Sequence, residues 1–384
     1  MNTTPCREAG SSPKSLQRRR NMKVAYVHDW LVTYRGGERV LEALLELYPD
    51  APIYTLFYDA SQMPETINKK RIIYPKWLQP FKRFRKPLLP ILPFIIESLP
   101  IESYDLVIST SSCVAKGIVP GPQSKHISYI HSPMRYVWDQ RHHYLKGKPK
   151  IVKMMFNLIS TALRNWDTTS TVRVDSIIAN SSFISSRIER YYGRKSTVVH
   201  PPVNTGLFTP ESPSQKQGYF LAAGAFVPYK GLDTAIKACE TLGKKLIVAG
   251  SGPEEETIRR LAGPNTQVLS QPSQKEWVKL FQEADAFLFP ALEDFGITAL
   301  EAMAAGTPVI AYRGGGALDF IQEGKTGQFF DEQKPESLAK TLESFDPTDY
   351  DQKQLHEFAE GFTKEHFLSK FKYELDSLIQ EQSR

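Results

Sequence analysis

Short apolar runs with no in–out alternation recur along this chain, each followed by a segment of helical periodicity. Nothing else in the sequence constrains the fold as tightly. In the first half the runs fall at 24–27 (Val24-Ala25-Tyr26-Val27), 53–57, 106–109, 127–130, 177–179 and 197–199. A strand that is apolar on both faces needs cover on both, which a parallel sheet flanked by helices provides. Between them, 38–47 has helical spacing of Val40, Leu41, Leu44, Leu45 and Leu47, and 183–192 follows the fifth run. A polar stretch at 205–218, with Gly, Pro and Ser, breaks the rhythm and reads as a linker. A second series then begins, with strands at 219–223, 246–248, 286–289, 309–311 and 327–330. Its helices fall at 232–242, 254–261, 275–283, 298–305 and 336–345.

The predicted organisation is therefore α/β in two domains. A disordered basic tail (1–21) precedes an N-terminal domain (22–204), the linker (205–218) and a C-terminal domain (219–364). A terminal amphipathic helix (365–384) carries Phe367, Phe371, Leu375, Leu378 and Ile379 at helical spacing. A chain of 384 residues is long enough for two substantial cores.

Composition closes off several classes. Cys6, Cys113 and Cys239 are too few and too scattered for a disulfide framework or a zinc site, which points to a reducing cytoplasm. Residues 1–21 lack the apolar stretch of a secretory signal and read as a tail or an upstream extension, with Met22 a natural start. No segment approaches the roughly 20 apolar residues of a spanning helix. A net charge of +6 with pI near 8.9 is modest for this length, so nucleic acid is not an expected partner. Neither a P-loop, a G-x-G-x-x-G fingerprint nor a G-x-S-x-G elbow occurs. Asp349-Tyr350-Asp351 follows no strand end and reads as a solvated loop, so no metal and no cofactor are expected.

The chemistry concentrates in Glu293-Asp294-Phe295-Gly296-Ile297-Thr298-Ala299-Leu300-Glu301. The spacing puts Glu293 at the carboxyl end of a buried strand and Glu301 in the first turn of the next helix. Gly296 permits a sharp turn, and the N–H groups at the helix start suit a diphosphate. The two acids suit sugar hydroxyls. Taken alone, a solvated loop residue and a favourable helix charge explain them as well. In its strand–loop–helix context the segment resembles the E-x7-E motif of the family-4 (group 1) retaining glycosyltransferases. That resemblance implies the GT-B architecture: two Rossmann-like domains face each other across a cleft, and the last helix crosses back to the first domain. It also implies that Glu293 contacts the transferred sugar, Glu301 the ribose, and the N–H groups of Phe295, Gly296 and Ile297 the sugar.

Three further strings extend the resemblance. Tyr34-Arg35-Gly36-Gly37-Glu38 opens a helix after the first strand, and Gly36 and Gly37 permit close backbone approach. In the family such a loop faces the donor phosphates. His131 stands at the end of the 127–130 strand, where open α/β sheets bind ligands; a core histidine is the plainer reading. Ser132-Pro133-Met134-Arg135-Tyr136-Val137-Trp138-Asp139 follows and is similar to a subgroup rich in mannosyltransferases. It implies that His131 contacts the donor sugar and that Arg135, Tyr136, Trp138 and Asp139 shape the acceptor side. Gly224-Ala225-Phe226-Val227-Pro228-Tyr229-Lys230-Gly231 resembles the family's phosphate-binding loop, with Lys230 on the leaving diphosphate and Ala225 where the family carries Arg. Helix N-termini, with Arg35 or Arg39, are then expected to supplement Lys230. Gly252 sits in a turn that the family places near the nucleoside. Asp319 is given no role.

Lys76-Trp77-Leu78-Gln79-Pro80-Phe81-Lys82-Arg83-Phe84-Arg85-Lys86 runs into a proline-broken apolar stretch ending at 96. Cations interleaved with aromatics suit the interface of an anionic membrane. The 146–153 stretch is a weaker second candidate. The resemblance implies a retaining, metal-independent hexosyltransferase. Its expected donor is GDP-mannose and its expected acceptor a lipid-linked or other oligosaccharide in bacterial surface polysaccharide (lipopolysaccharide) synthesis. The enzyme is expected to be cytoplasmic and peripheral at the inner membrane face. A UDP-sugar transferase, a nucleotide-sugar epimerase of the same fold, and a non-catalytic sugar-nucleotide or membrane-binding module stay open.

Overall fold

A computed structural model describes residues 22–85, 87–139, 149–210 and 216–381. The tail 1–21, Lys86, the first part of the 146–153 stretch, residues 211–215 of the expected linker and residues 382–384 of the terminal segment lie outside the described residues.

Two all-parallel sheets carry the chain. The first contains β1 (Val24–His28), β2 (Ile53–Thr55), β3 (Ile72–Ile73), β4 (Leu106–Ser111), β5 (Lys125–Ile130), β6 (Ser176–Ala179) and β7 (Thr197–Val198), in the order β3-β2-β1-β4-β5-β6-β7. The second contains β8 (Phe220–Ala225), β9 (Leu246–Ser251), β10 (Thr266–Ser270), β11 (Ala286–Phe289), β12 (Val309–Tyr312) and β13 (Gly327–Phe330), in the order β10-β9-β8-β11-β12-β13. Every residue of β1 and β4 is buried, as their unbroken apolar runs require. The chain order reverses between β1 and β4 and again between β8 and β11. At such points the helices leave to opposite faces and open a crevice beyond the carboxyl ends of the strands.

Each sheet has its own core. One face of the first packs Val40, Leu41 and Leu44 of the helix Gly36–Leu44, together with Phe367, Phe371, Leu375 and Leu378 of the helix Lys364–Glu381. The terminal helix thus crosses back to the first domain, as the resemblance implied. The opposite face packs the helix Leu92–Glu97 and part of the helix Lys150–Thr169. The second domain closes around Phe281, Phe287, Phe320 and Phe330.

The passage between domains lies earlier than the 205–218 linker. Val199 belongs to the first core and Val203 to the second, so the chain crosses at His200-Pro201-Pro202. Residues Thr205–Leu207 form a 3-10 turn, and Phe208 is buried in the second core. The return crossing runs from Phe362 to Phe367, beside the first: Val203 N donates to Phe362 O at 2.8 Å. Asp349 and Asp351 are exposed, as expected, and Asp351 accepts from Lys353 N at 2.8 Å to cap the helix Gln352–Glu360.

Candidate active site

The loop after β11 holds Glu293 and Asp294, then turns at Gly296 into the helix Ile297–Ala304. Gly296 takes φ +120°, and a Cβ there would meet the Phe289 ring at 2.9 Å, so only glycine fits this turn. The helix begins at Ile297, which places Glu301 in the second turn rather than the first. Its carboxylate is buried, and Arg39 Nη1 of the first domain donates to Oε1 at 2.9 Å. Burial raises the Glu301 pKa, and the charge of Arg39 opposes that rise. The pair lines a cleft of about 1250 Å³ between the domains, which Tyr34, Trp277 and residues 202–208 also border.

Glu293 and Lys230 form an ion pair. Lys230 ends the 3-10 turn Pro228–Lys230 after β8, and Glu293 follows β11, so the pair stands over the crevice between these neighbouring strands. The two charges assigned to sugar and diphosphate are therefore brought into direct contact.

From the first domain, His131 leaves β5 with its backbone N donating to Ser111 O at 2.8 Å. Its Nε2 is buried and makes no hydrogen bond within the protein. Burial, with His28 and Arg135 adding, pushes the imidazole down to about 3, so the ring is neutral near pH 7. The ring borders Gly37, whose Cβ position would lie 3.6 Å from Nε2. At Gly36 the two domains come close: a Cβ there would lie 2.9 Å from Ile297 Cδ1 of the second domain. Glu38 accepts from Arg35 N at 2.9 Å and fixes the helix start.

Arg135 joins the two halves. It pairs with Asp294, lies close enough to His131 to lower its pKa, and feels the charge of Glu293. Asp294 is buried and also receives Arg187 Nη1 at 3.4 Å, while its backbone O accepts from Ser181 Oγ at 2.5 Å. Arg135 is thus on Asp294, next in the chain to Glu293, whereas Arg39 is on Glu301. Trp138 and Asp139 hold the 131–139 string internally: Trp138 stacks on Tyr191 and donates to Asp167 Oδ2 at 2.8 Å, and Asp139 accepts from Tyr191 Oη at 2.7 Å and pairs with Arg187. Tyr136 is half-buried against the first core. Phe295 turns its ring inward onto His200 and Phe320, leaving only its backbone for a ligand. Gly252 follows β9 with its backbone against that of Phe226.

Sequence reasoning missed Asp294, Arg187 and Asp319. Asp319 accepts from Ser182 N at 2.8 Å, and His200 Nε2 lies 3.0 Å from the same oxygen, a second latch between domains. Burial raises the Asp319 pKa, but these partners outweigh it and hold the carboxyl below its usual range. A carboxylate beside the motif was the only signal available in the sequence.

Residues 207–360 match the family profile described as glycosyl transferases group 1. Among curated proteins, the chain is 31% identical over 178 residues to a GDP-mannose-dependent monoacylated alpha-(1-6)-phosphatidylinositol monomannoside mannosyltransferase of Corynebacterium glutamicum, covering 38% of this chain and 47% of that protein. It is 28% identical over 206 residues to a D-inositol 3-phosphate glycosyltransferase of a Nocardioides species, covering 44% and 45%. The chain spans about half the length of the curated relatives it matches. The solved structure of Anabaena HepE with UDP and glucose superposes over 93% of this chain and 100% of that one, with TM-score 0.68 and 16% identity. The shared fold is GT-B.

Proposed function

We propose that this protein, whose residues 207–360 match the group 1 glycosyl transferase profile, is a retaining, metal-independent hexosyltransferase that moves mannose from GDP-mannose to a lipid-linked glycan. The observation that carries the reading is the ion pairing around the two motif acids. Arg135, four residues past His131, pairs with Asp294 beside Glu293, Arg39 from the helix opened by Gly36 and Gly37 pairs with Glu301, and Lys230 pairs with Glu293. The mannose assignment is supported by the 131–139 string and by the printed activity of the Corynebacterium relative.

In this reading the protein binds developing charge and supplies no covalent partner. Lys230 and the free N–H groups opening the helix Ile297–Ala304 take the leaving diphosphate as the bond between sugar C1 and phosphate oxygen breaks. The acceptor oxygen bonds to C1 from the same face, and its proton passes to the departing phosphate. His131, held neutral, donates from one ring nitrogen to a sugar hydroxyl, and Glu293 accepts from another. Glu301 anchors the ribose with Arg39 on its outer oxygen. The exposure of Trp77, Phe81 and Phe84 beside Arg83 supports a reading in which the enzyme rests against an anionic membrane surface.

Thermal unfolding with GDP, UDP, ADP and GDP-mannose tests the donor, because a ligand at about a hundred times its Kd stabilises by roughly 2.7 kcal/mol. Selective stabilisation by GDP and GDP-mannose is expected. A UDP-selective shift would keep the fold and replace the donor. No shift with any nucleotide would reject a sugar-nucleotide site.

A further inference from the structure

The 3-10 turn Gly315–Asp319, which follows β12, has no part in the chemistry proposed above. Its first residues nevertheless lie directly on the backbone that carries Glu293. Gly316 N donates to Glu293 O at 2.9 Å. Gly315 takes φ +68°; a Cβ on it would run into Glu293 O, and one on Gly316 into Phe295 Cα. Backbone rests on backbone with no side chain between, so a shift of the turn meets nothing soft that could absorb it.

The far end of the same turn is held from elsewhere. Asp319 Oδ2 accepts from Ser182 N of the first domain at 2.8 Å and stands 3.0 Å from His200 Nε2 at the first crossing. Ser182 is the first residue of the helix Ser182–Tyr192, whose opening N–H groups favour a negative charge. That bond exists only where the two domains meet. His200 also stacks on Phe295 with ring centroids 5.3 Å apart, and the Phe295 ring meets Phe320, the residue after Asp319, edge-on. From Gly316 to Asp319 the turn spans about 6 Å, because a 3-10 helix rises about 2 Å per residue. It is a short strut between the Ser182 helix and the loop of Glu293.

We propose that Asp319 is a positioning residue of the transfer reaction: by binding the N-terminus of the helix Ser182–Tyr192 it seats the turn Gly315–Asp319 on the loop after β11 and sets the Glu293 carboxylate for the sugar when the domains close. This rests on the role given to Glu293 above. Glu293 then answers to the first domain by a route separate from the Arg135–Asp294 pair.

Ser182→Pro removes the N–H that Asp319 accepts and keeps the helix, because proline is tolerated at a first helical position and Ser181 is extended, with φ −157° and ψ 163°. Asp319→Asn keeps an acceptor oxygen without the charge, and Asp319→Ala removes both. Donor turnover, with GDP-mannose or UDP-glucose as the wild type dictates, should fall about fivefold or more in Ser182→Pro and Asp319→Ala, in kcat rather than KM. Asp319→Asn should lose less, and the effects of Ser182→Pro and Asp319→Ala should not add. Affinity for the nucleoside diphosphate, by calorimetry, should stay within about twofold. Amide exchange at 293–297 and 315–319 should rise about fivefold or more in Ser182→Pro, although the substitution is on the other domain, with β8 and β11 unchanged. Full turnover in both variants, or unchanged exchange at 293–297, would overturn the assignment. A parallel loss of nucleotide affinity, or exchange raised across β8 and β11 as well, would make Asp319 a structural cap and overturn it equally. Selective stabilisation of the wild type by GDP would in those cases leave the transferase reading standing. A wild type that turns over neither donor would overturn the transferase reading itself, and Asp319 would then be a domain latch alone.

Discussion

Asp294→Asn isolates the link between the two domains, because it preserves shape and removes one charge. The carboxylate pairs with Arg135 and stands 3.4 Å from Arg187, both from the first domain. A hydrogen bond to a charged group contributes about 1.5–3 kcal/mol and a neutral one about 1. Arg187 keeps Asp139 as a partner, so the loss there is small. The Arg135 contact should therefore weaken by about 1–2 kcal/mol, which disfavours the closed arrangement roughly five- to thirtyfold. Donor turnover, measured as kcat/KM, should fall by that factor. GDP affinity should move by no more than about twofold, because Lys230 and Glu301 lie on the second domain and are untouched. Arg135→Gln should behave alike, and the double variant should be less than additive. If GDP affinity falls as far as turnover, or if the two effects simply add, the Arg135–Asp294 pair is not what aligns the halves.

Glu293→Gln should lower turnover by about 10²–10³, the effect of removing a group that binds developing charge. It also frees Lys230 from its ion pair, so GDP affinity measured by calorimetry should hold or rise, whereas Lys230→Ala should weaken GDP about tenfold or more. Gly36→Ala puts a methyl against Ile297 Cδ1, the far end of a side chain that can turn aside, so it should cost no more than about 1 kcal/mol in chemical unfolding, and Ile297→Val should remove that cost. His131 and His126 are held near 3 and 4 by burial, below the usual value near 6.5. Both are neutral when folded and take a proton when unfolded, so stability should fall as pH drops below about 6.5. Each contributes a slope of roughly 1.4 kcal/mol per pH unit, flattening below its folded value. Urea midpoints from pH 7.5 to 4.5 check this, and His131→Asn should remove one proton from the slope.

The sequence patterns located the inner strands because residues buried on both faces leave a continuous apolar run. They missed β3 and β10, which lie at sheet edges and carry half-covered or exposed residues such as Thr266 and Gln267. The helix Lys150–Thr169 was missed as well, its apolar residues facing two directions at once. Within the site, the strand–loop–helix around Glu293 was legible from local order alone. The partners of its acids were not, since Arg39 is 262 residues from Glu301 and Arg135 is 159 from Asp294. Pairing across that distance depends on how two finished domains meet, which no local pattern encodes.

The two crossings between domains set what kind of motion is available. A single tether would let the second domain swing and twist freely. Two adjacent tethers, at 200–202 and 363–366, bonded to each other through Val203 and Phe362, leave rotation about one line as the soft coordinate. Tyr129 sits at that line: its hydroxyl donates to Val199 O at 2.8 Å, and its ring meets the edge of Phe367 on one side and His131 on the other. The axle of the door therefore touches the histidine at its jamb, at the end of β5.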